Sequence, residues 1–223
     1  MIVSIHQPNY LPYLGFFDKM RKSDVFVIYD DAQFNKGDFQ HRNKIRIKEG
    51  WKWLTVPVEK EHKPINEIKI RDEVMWKGLK WSEDHFKNIK ENYEETPYYS
   101  NYEDELKRIY SKNYEKLVDL NMEIIEFLKK SFDINTRMVF SSTLGLDSKA
   151  SDRLAETVEA LDGDIYLSGP MGRNYLDIKL FEERNIQVQF QEFDHPIYRQ
   201  KYKDFCPNMA AIDALFNVGR MPE

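Results

Sequence analysis

The strongest constraint on the fold lies at the start of the chain. Ile2 to Ile5 is a short apolar run of the kind that enters a buried parallel strand, and it stops at His6. Pro12 is a helix-start signal; Leu14, Phe17, Met20 and Arg21 follow at helical spacings, with Lys19, Arg21 and Lys22 complementing the C-terminal dipole. Val25 to Tyr29 then reads as a second buried strand. A strand, a short helix and a strand within about thirty residues predict a right-handed βαβ unit, and so a parallel sheet.

After Asp30-Asp31 the pattern changes. Lys44 to Ile47 and Trp53 to Val58 are two β-rich runs separated by a turn at Glu49-Gly50, which predicts an antiparallel hairpin. Ile65 to Ile70 is a further candidate strand. Trp76 to Tyr93 and Glu103 to Lys130 are long, charged and periodic, as amphipathic helices are, and suggest a helical insertion over about 71–130. The last third returns to α/β alternation: strand Met138 to Ser141, helix Ser151 to Leu161, strand Ile165 to Leu167, helix from about Tyr175 to Arg184, strand Val188 to Phe190. The expected fold is therefore a Rossmann-like, mostly parallel α/β sheet with an antiparallel hairpin and a helical insertion. No low-complexity linker divides the 223 residues, so a single intertwined domain over 1–223 is expected.

Composition narrows the function classes. A hydrophobic fraction of 41% is enough to bury a core, which makes the charged fraction of 32% a solvated exterior rather than a sign of disorder. The net charge of -5 argues against broad nucleic-acid binding, although a local basic patch is still compatible with it. Cys206 is the only cysteine, which excludes an internal disulfide and a cysteine-rich zinc site; the five histidines show no metal-ligand spacing. With neither a signal-like start nor about eighteen consecutive apolar residues, a cytoplasmic protein without membrane insertion is expected.

In an open parallel sheet, ligands bind at the carboxyl edge, so the turns that follow strands are the places to look. His6-Gln7-Pro8-Asn9-Tyr10 puts four polar-capable side chains into five residues after a buried strand. His6 can move a proton near neutrality, while Gln7, Asn9 and Tyr10 can hold a polar acceptor; a capped structural turn is the alternative. Asp30-Asp31-Ala32-Gln33 follows the second strand, and Asp31 could orient His6 or hold Mg²⁺ beside phosphates, with Gln33 as a ligand contact; a solvated acidic turn is the alternative. Arg42 and Asn43 offer a fork for a carboxylate or phosphate. Ser168, Gly169, Arg173 and Asn174 lie in a loop of small residues suited to close approach of an anion, though its spacing fits neither a P-loop nor a dinucleotide fingerprint. His195 adds a second candidate histidine near the same edge, and a Ser168–His195–Asp194 triad is discounted because the serine lacks a nucleophile elbow. His62 and His85 sit in charged surroundings and are expected on the surface.

The run Ile5-His6-Gln7-Pro8-Asn9-Tyr10-Leu11-Pro12-Tyr13-Leu14-Gly15-Phe16-Phe17-Asp18-Lys19 resembles the opening of the WbqC-like family. The resemblance continues through Asp30 to Phe34, Arg42-Asn43, Trp53 to Val58, Tyr166 to Gly169, Asn174 to Leu176 and His195 to Tyr198. It implies a role in bacterial surface-polysaccharide or O-antigen synthesis. The implied reaction is glycyl or other aminoacyl transfer onto an amino sugar, with a nucleotide sugar and an acyl donor as partners. A weaker similarity is to nucleotidylyltransferase-type folds such as pantothenate synthetase, but Tyr13-Leu14-Gly15-Phe16 keeps only the glycine of their His-x-Gly-His turn. Two alternatives accompany the transferase reading: an ATP- and Mg²⁺-dependent nucleotidyl-transferring or carboxylate-adenylating enzyme, and a noncatalytic sugar-nucleotide-binding protein.

Overall fold

The computed structural model describes residues 1–59 and 62–222. In chain order the strands are β1 (Ile2–His6), β2 (Val25–Ile28), β3 (Arg42–Ile47), β4 (Gly50–Thr55), β5 (Met75–Trp76), β6 (Leu79–Lys80), β7 (Arg137–Phe140), β8 (Ile165–Ser168) and β9 (Gln187–Phe190). The helices are α1 (Leu14–Arg21), α2 (Trp81–Tyr93), α3 (Glu103–Ser111), α4 (Leu117–Ser131), α5 (Ala150–Glu159), α6 (Lys179–Glu182) and α7 (Ile212–Val218). They fall into two compact units, each drawn from three stretches of chain. Met1–Gln7, Gly15–Ala32 and Ile134–Asp194 form the first, and Pro8–Leu14, Gln33–Asp133 and His195–Glu223 the second.

The first unit is Rossmann-like. Its five strands are all parallel, in the order β7-β2-β1-β8-β9. Side chains alternate across a strand. Val3, Ile5, Val25 and Val27 pack on one face with Leu154, Ala155 and Val158 of α5 and Phe181 of α6. His6 and Phe26 lie with α1 instead, where the His6 ring meets Phe16 at 4.8 Å and Phe26 at 6.5 Å. Beyond β9, the amide of Gln191 donates to the Gly15 carbonyl and to Asp18, both at 2.8 Å, which ties that strand end to α1.

The second unit holds the antiparallel hairpin β3–β4 with α2, α3, α4 and α7. The side chain of Asp213 on α7 is fully buried and accepts from Tyr93 at 3.0 Å, Tyr198 at 2.7 Å and Gln200 at 2.8 Å. Burial raises its carboxyl above the usual range, and the three donors only partly oppose that.

Several boundaries differ from the sequence reading, each for a local reason. Strand β4 stops at Thr55 rather than Val58, since Pro57 has no N–H for a ladder. Ile65 to Ile70 is not a strand: Glu67 N–H bonds back to Pro64 and Ile68 N–H to Ile65, forming a 3₁₀ turn. Helix α2 starts at Trp81, after a small hairpin that turns through Lys77 (φ 49) and Gly78 (φ 84), where glycine relieves the left-handed backbone. Glu103 to Lys130 holds two helices, α3 and α4, with residues 112–116 between them. The expected helix from Tyr175 shrinks to α6, preceded by a 3₁₀ turn over Pro170–Asn174.

Candidate functional site

The carboxyl edge of the first unit's sheet gathers the ends of β2, β1 and β8 side by side, so His6-Gln7, Asp30-Asp31 and Ser168-Gly169 follow neighbouring strands. Three of the strand-end turns singled out from the sequence therefore share one edge. Between β1 and β8 the strand order reverses, the position at which open parallel sheets form a crevice.

The imidazole of His6 is half-buried. Its Nδ1 lies 2.9 Å from the Gln7 carbonyl oxygen; because a carbonyl only accepts, Nδ1 carries the proton and Nε2 keeps its lone pair. Desolvation pulls the ring's pKa from 6.5 down to about 3, the charge on Lys19 adds to this, and the Gln7 carbonyl opposes it weakly. His6 is thus neutral at pH 7 but weakly basic. Lys19 on α1 is buried, donates to the Ile5 carbonyl at 2.9 Å and, through desolvation, is lowered to about 7. Sequence reasoning gave Lys19 only a helix-dipole role; its burial and its bond to Ile5 carried no signal in the sequence.

Asp30 and Asp31 bond to the serines that follow β7, and Asp31 also to α5. Asp31 forms an ion pair with Arg153 at 2.6 Å and accepts from the Ser141 hydroxyl, while Asp30 accepts from Ser142 N–H at 3.1 Å and its hydroxyl at 2.7 Å. These bonds fasten the ends of β2 and β7 and the side of α5 together, and Arg153 is 4% exposed in its side chain. Among the described residues no three His, Cys, Asp or Glu side chains group as a metal site.

Ser168 is buried and its hydroxyl donates to the Gly169 carbonyl at 3.2 Å, so it shapes the loop from within. Gly169 has open space on its Cα, whereas a side chain on Gly172 would collide with Ser168 Oγ. The 3₁₀ turn begins with Pro170, which has no amide to offer an anion. Arg173 and Asn174 are exposed, and the Arg173 guanidinium rests 4.3 Å above the Phe190 ring.

The other candidates belong to the second unit. Tyr10 is fully buried, bonded to His85 Nδ1 at 2.8 Å and to the Tyr110 hydroxyl at 2.6 Å; it is a core strut rather than an open ligand contact. His85, expected on the surface, is 3% exposed, and burial followed by the Lys52 charge lowers it to about 3. His62 is exposed as expected. Asn43 braces the Leu11 carbonyl at 2.6 Å, and Gln33 donates to the Lys63 carbonyl at 3.0 Å. Arg42 donates to the Gly37 carbonyl and stacks 4.6 Å from Trp53. Asn9 is buried; His195 contacts the Pro196 carbonyl at 2.9 Å, and burial lowers its pKa.

The model of the WbqC-like protein family matches residues 7–222. A Mycobacterium tuberculosis protein (strain ATCC 25618 / H37Rv), described as "Uncharacterized protein Rv1507c", is 32% identical over 219 residues, which span 97% of this chain and 94% of that one. No solved structure matches the chain. Among the described residues no helix is long and apolar enough to cross a membrane.

Proposed function

This chain belongs to the WbqC-like protein family, and from that premise we propose that it transfers an acyl group, glycyl or another aminoacyl, to the amine of a nucleotide-linked sugar for bacterial surface-polysaccharide synthesis. The observation that carries this reading is the reversal of strand order between β1 and β8, with polar turns on both sides of it. In the reaction the sugar amine attacks the acyl carbonyl carbon, a C–N bond forms, and the bond from the acyl carbon to its carrier breaks. The amine proton passes to Nε2 of His6, the nitrogen left with a lone pair by the Nδ1 contact to Gln7. Gln7 holds the acceptor, and Arg173 and Asn174 meet its phosphates. Ser168 and Gly169 set the loop, and Asp31 acts at one remove, by fixing Arg153 and the end of β2.

Two observations fit this assignment. A neutral imidazole is in the right state to accept a proton at pH 7, and its low basicity is the kind that a bound anionic substrate raises. The test is incubation of purified protein with nucleotide-linked amino sugars and matched acyl donors, read as the mass gain of the sugar nucleotide. A product should form, and His6→Ala should suppress it. Turnover of a correctly folded His6→Ala protein within about threefold of wild type removes His6 from the role. Binding of the sugar nucleotide without turnover across all donors favours a noncatalytic binding protein instead.

A further inference from the structure

The second unit contains a cavity of about 620 Å³, within the size range of sites that hold small organic ligands. Residues 56–58, which follow β4, form part of its lining and are zipped in place: Arg71 N–H bonds to the Pro57 carbonyl at 2.8 Å, and Val58 bridges to Ile70. Apolar wall and aromatic rings are provided together, since Phe34 and the half-exposed indole of Trp76 both face this space.

Among the described lining residues, Lys36 and Arg71 outnumber the one carboxylate, Glu59. Lys36 is exposed and makes no ion pair among the described residues; the Arg71 Nε donates to Glu73 at 2.8 Å, and its two terminal nitrogens make no further ion pair among the described residues. Glu59, the described carboxylate in the lining, already lies 3.6 Å from Lys63. His41 also lines the cavity, and burial, then Arg42, then Lys36 bring its pKa down to about 4. Its ring is 4% exposed, sits edge-on to Phe34 at 5.4 Å, and has an Nδ1 with no hydrogen-bond partner. Buried orphan polar atoms are rare, and a catalytic role or a bound water or ion is among the explanations for one.

We propose that this cavity binds a nucleoside phosphate, the planar base lying against Trp76 and the phosphate meeting Lys36 and Arg71. An aromatic face beside the cations of Lys36 and Arg71 suits a flat ring that carries an anion, and neither feature alone would select for both halves. Glu59 offers an acceptor for a ribose hydroxyl. The inference stands on the second unit's own residues and does not depend on the transferase reading.

Calorimetric titration of the full chain with UDP, ADP, uridine, adenosine and inorganic phosphate tests it. The diphosphates should bind, and each half alone should bind more weakly. Lys36→Ala should weaken the diphosphates about fivefold and leave the nucleosides unchanged, whereas Trp76→Ala should weaken both about tenfold. Both side chains are exposed, so neither variant threatens the fold. Absence of heat with UDP and ADP overturns the proposal. So does wild-type binding by Lys36→Ala and Trp76→Ala, and if binding is then lost in Arg173→Ala, the nucleotide lies on the first unit's sheet edge.

Discussion

The hydroxyl of Tyr10 lies 2.8 Å from Nδ1 of His85, inside a buried chain that begins at the Tyr110 hydroxyl, 2.6 Å away. Either hydroxyl can donate to the other, and the Tyr10 hydroxyl is the link between Tyr110 and the imidazole. Tyr10→Phe deprives the His85 Nδ1 and the Tyr110 hydroxyl of their shared partner. We expect a loss of about 1–3 kcal/mol in urea unfolding, since a buried unsatisfied group costs its desolvation. A loss below about 0.5 kcal/mol would mean that the chain contributes nothing to stability.

Gly172 and Ser168 make a second tight relationship. A Cβ at position 172 would collide with Ser168 Oγ and come within 3.0 Å of Leu176 Cδ1. Overpacking of this kind costs about 1–3 kcal/mol, so Gly172→Ala should destabilise the protein by that amount. Ser168→Ala removes the Oγ and leaves Ser168 Cβ at 3.2 Å from the added carbon, a contact that small shifts relieve. The double variant should therefore be more stable than the sum of the single effects by about 0.5 kcal/mol or more, and strict additivity would place the cause elsewhere.

These two relationships show where sequence reading stops. The parallel sheet was legible because residues 3–5 and Val25–Ile28 are buried on both faces and lie in short, mainly apolar runs. The hairpin was legible from its turn and β-rich flanks, and the shared edge of β2, β1 and β8 followed from fold class alone. What a polar side chain faces was not legible. Asp31 reads as a ligand until Arg153, far along the chain, neutralises it, and Tyr10 and His85 look polar and outward until packing pairs them. The same local chemistry serves a site or a strut, and only contacts across long sequence separation decide between them. Helix α7 was missed because Ile212–Val218 is seven residues long, too short to establish an amphipathic period in the sequence.

Lys19 makes stability depend on pH in a direction that can be checked. Its folded pKa of about 7 lies below the ordinary 10.5, so between those values the unfolded chain holds a proton that the folded chain has released. Stability from this group is present above pH 10.5 and is lost as pH falls through about 7. Lys19→Met should abolish that part of the rise, read as the difference between wild-type and variant urea midpoints at pH 7 and pH 10. An identical pH dependence in the two proteins would show that Lys19 titrates normally.

The same lysine gives the proposed reaction a distinctive pH profile. Since His6 titrates near pH 3, its own protonation should produce no acid limb in kcat/KM near 6.5. The charge on Lys19 depresses His6 further, so the base strengthens as Lys19 loses its proton, and kcat/KM should rise through about pH 7. In Lys19→Met that limb should vanish while activity persists, because the lysine acts only through the imidazole. The His6 pKa should move up in the variant, by nitrogen NMR, yet stay below 6.5, because burial is the larger cause of the depression. His6→Ala should lower kcat by about a hundredfold or more at every pH. A limb near pH 6.5 that survives Lys19→Met and disappears in His6→Ala would instead assign the titration to a histidine with an ordinary pKa, and the buried lysine would have no part in the chemistry.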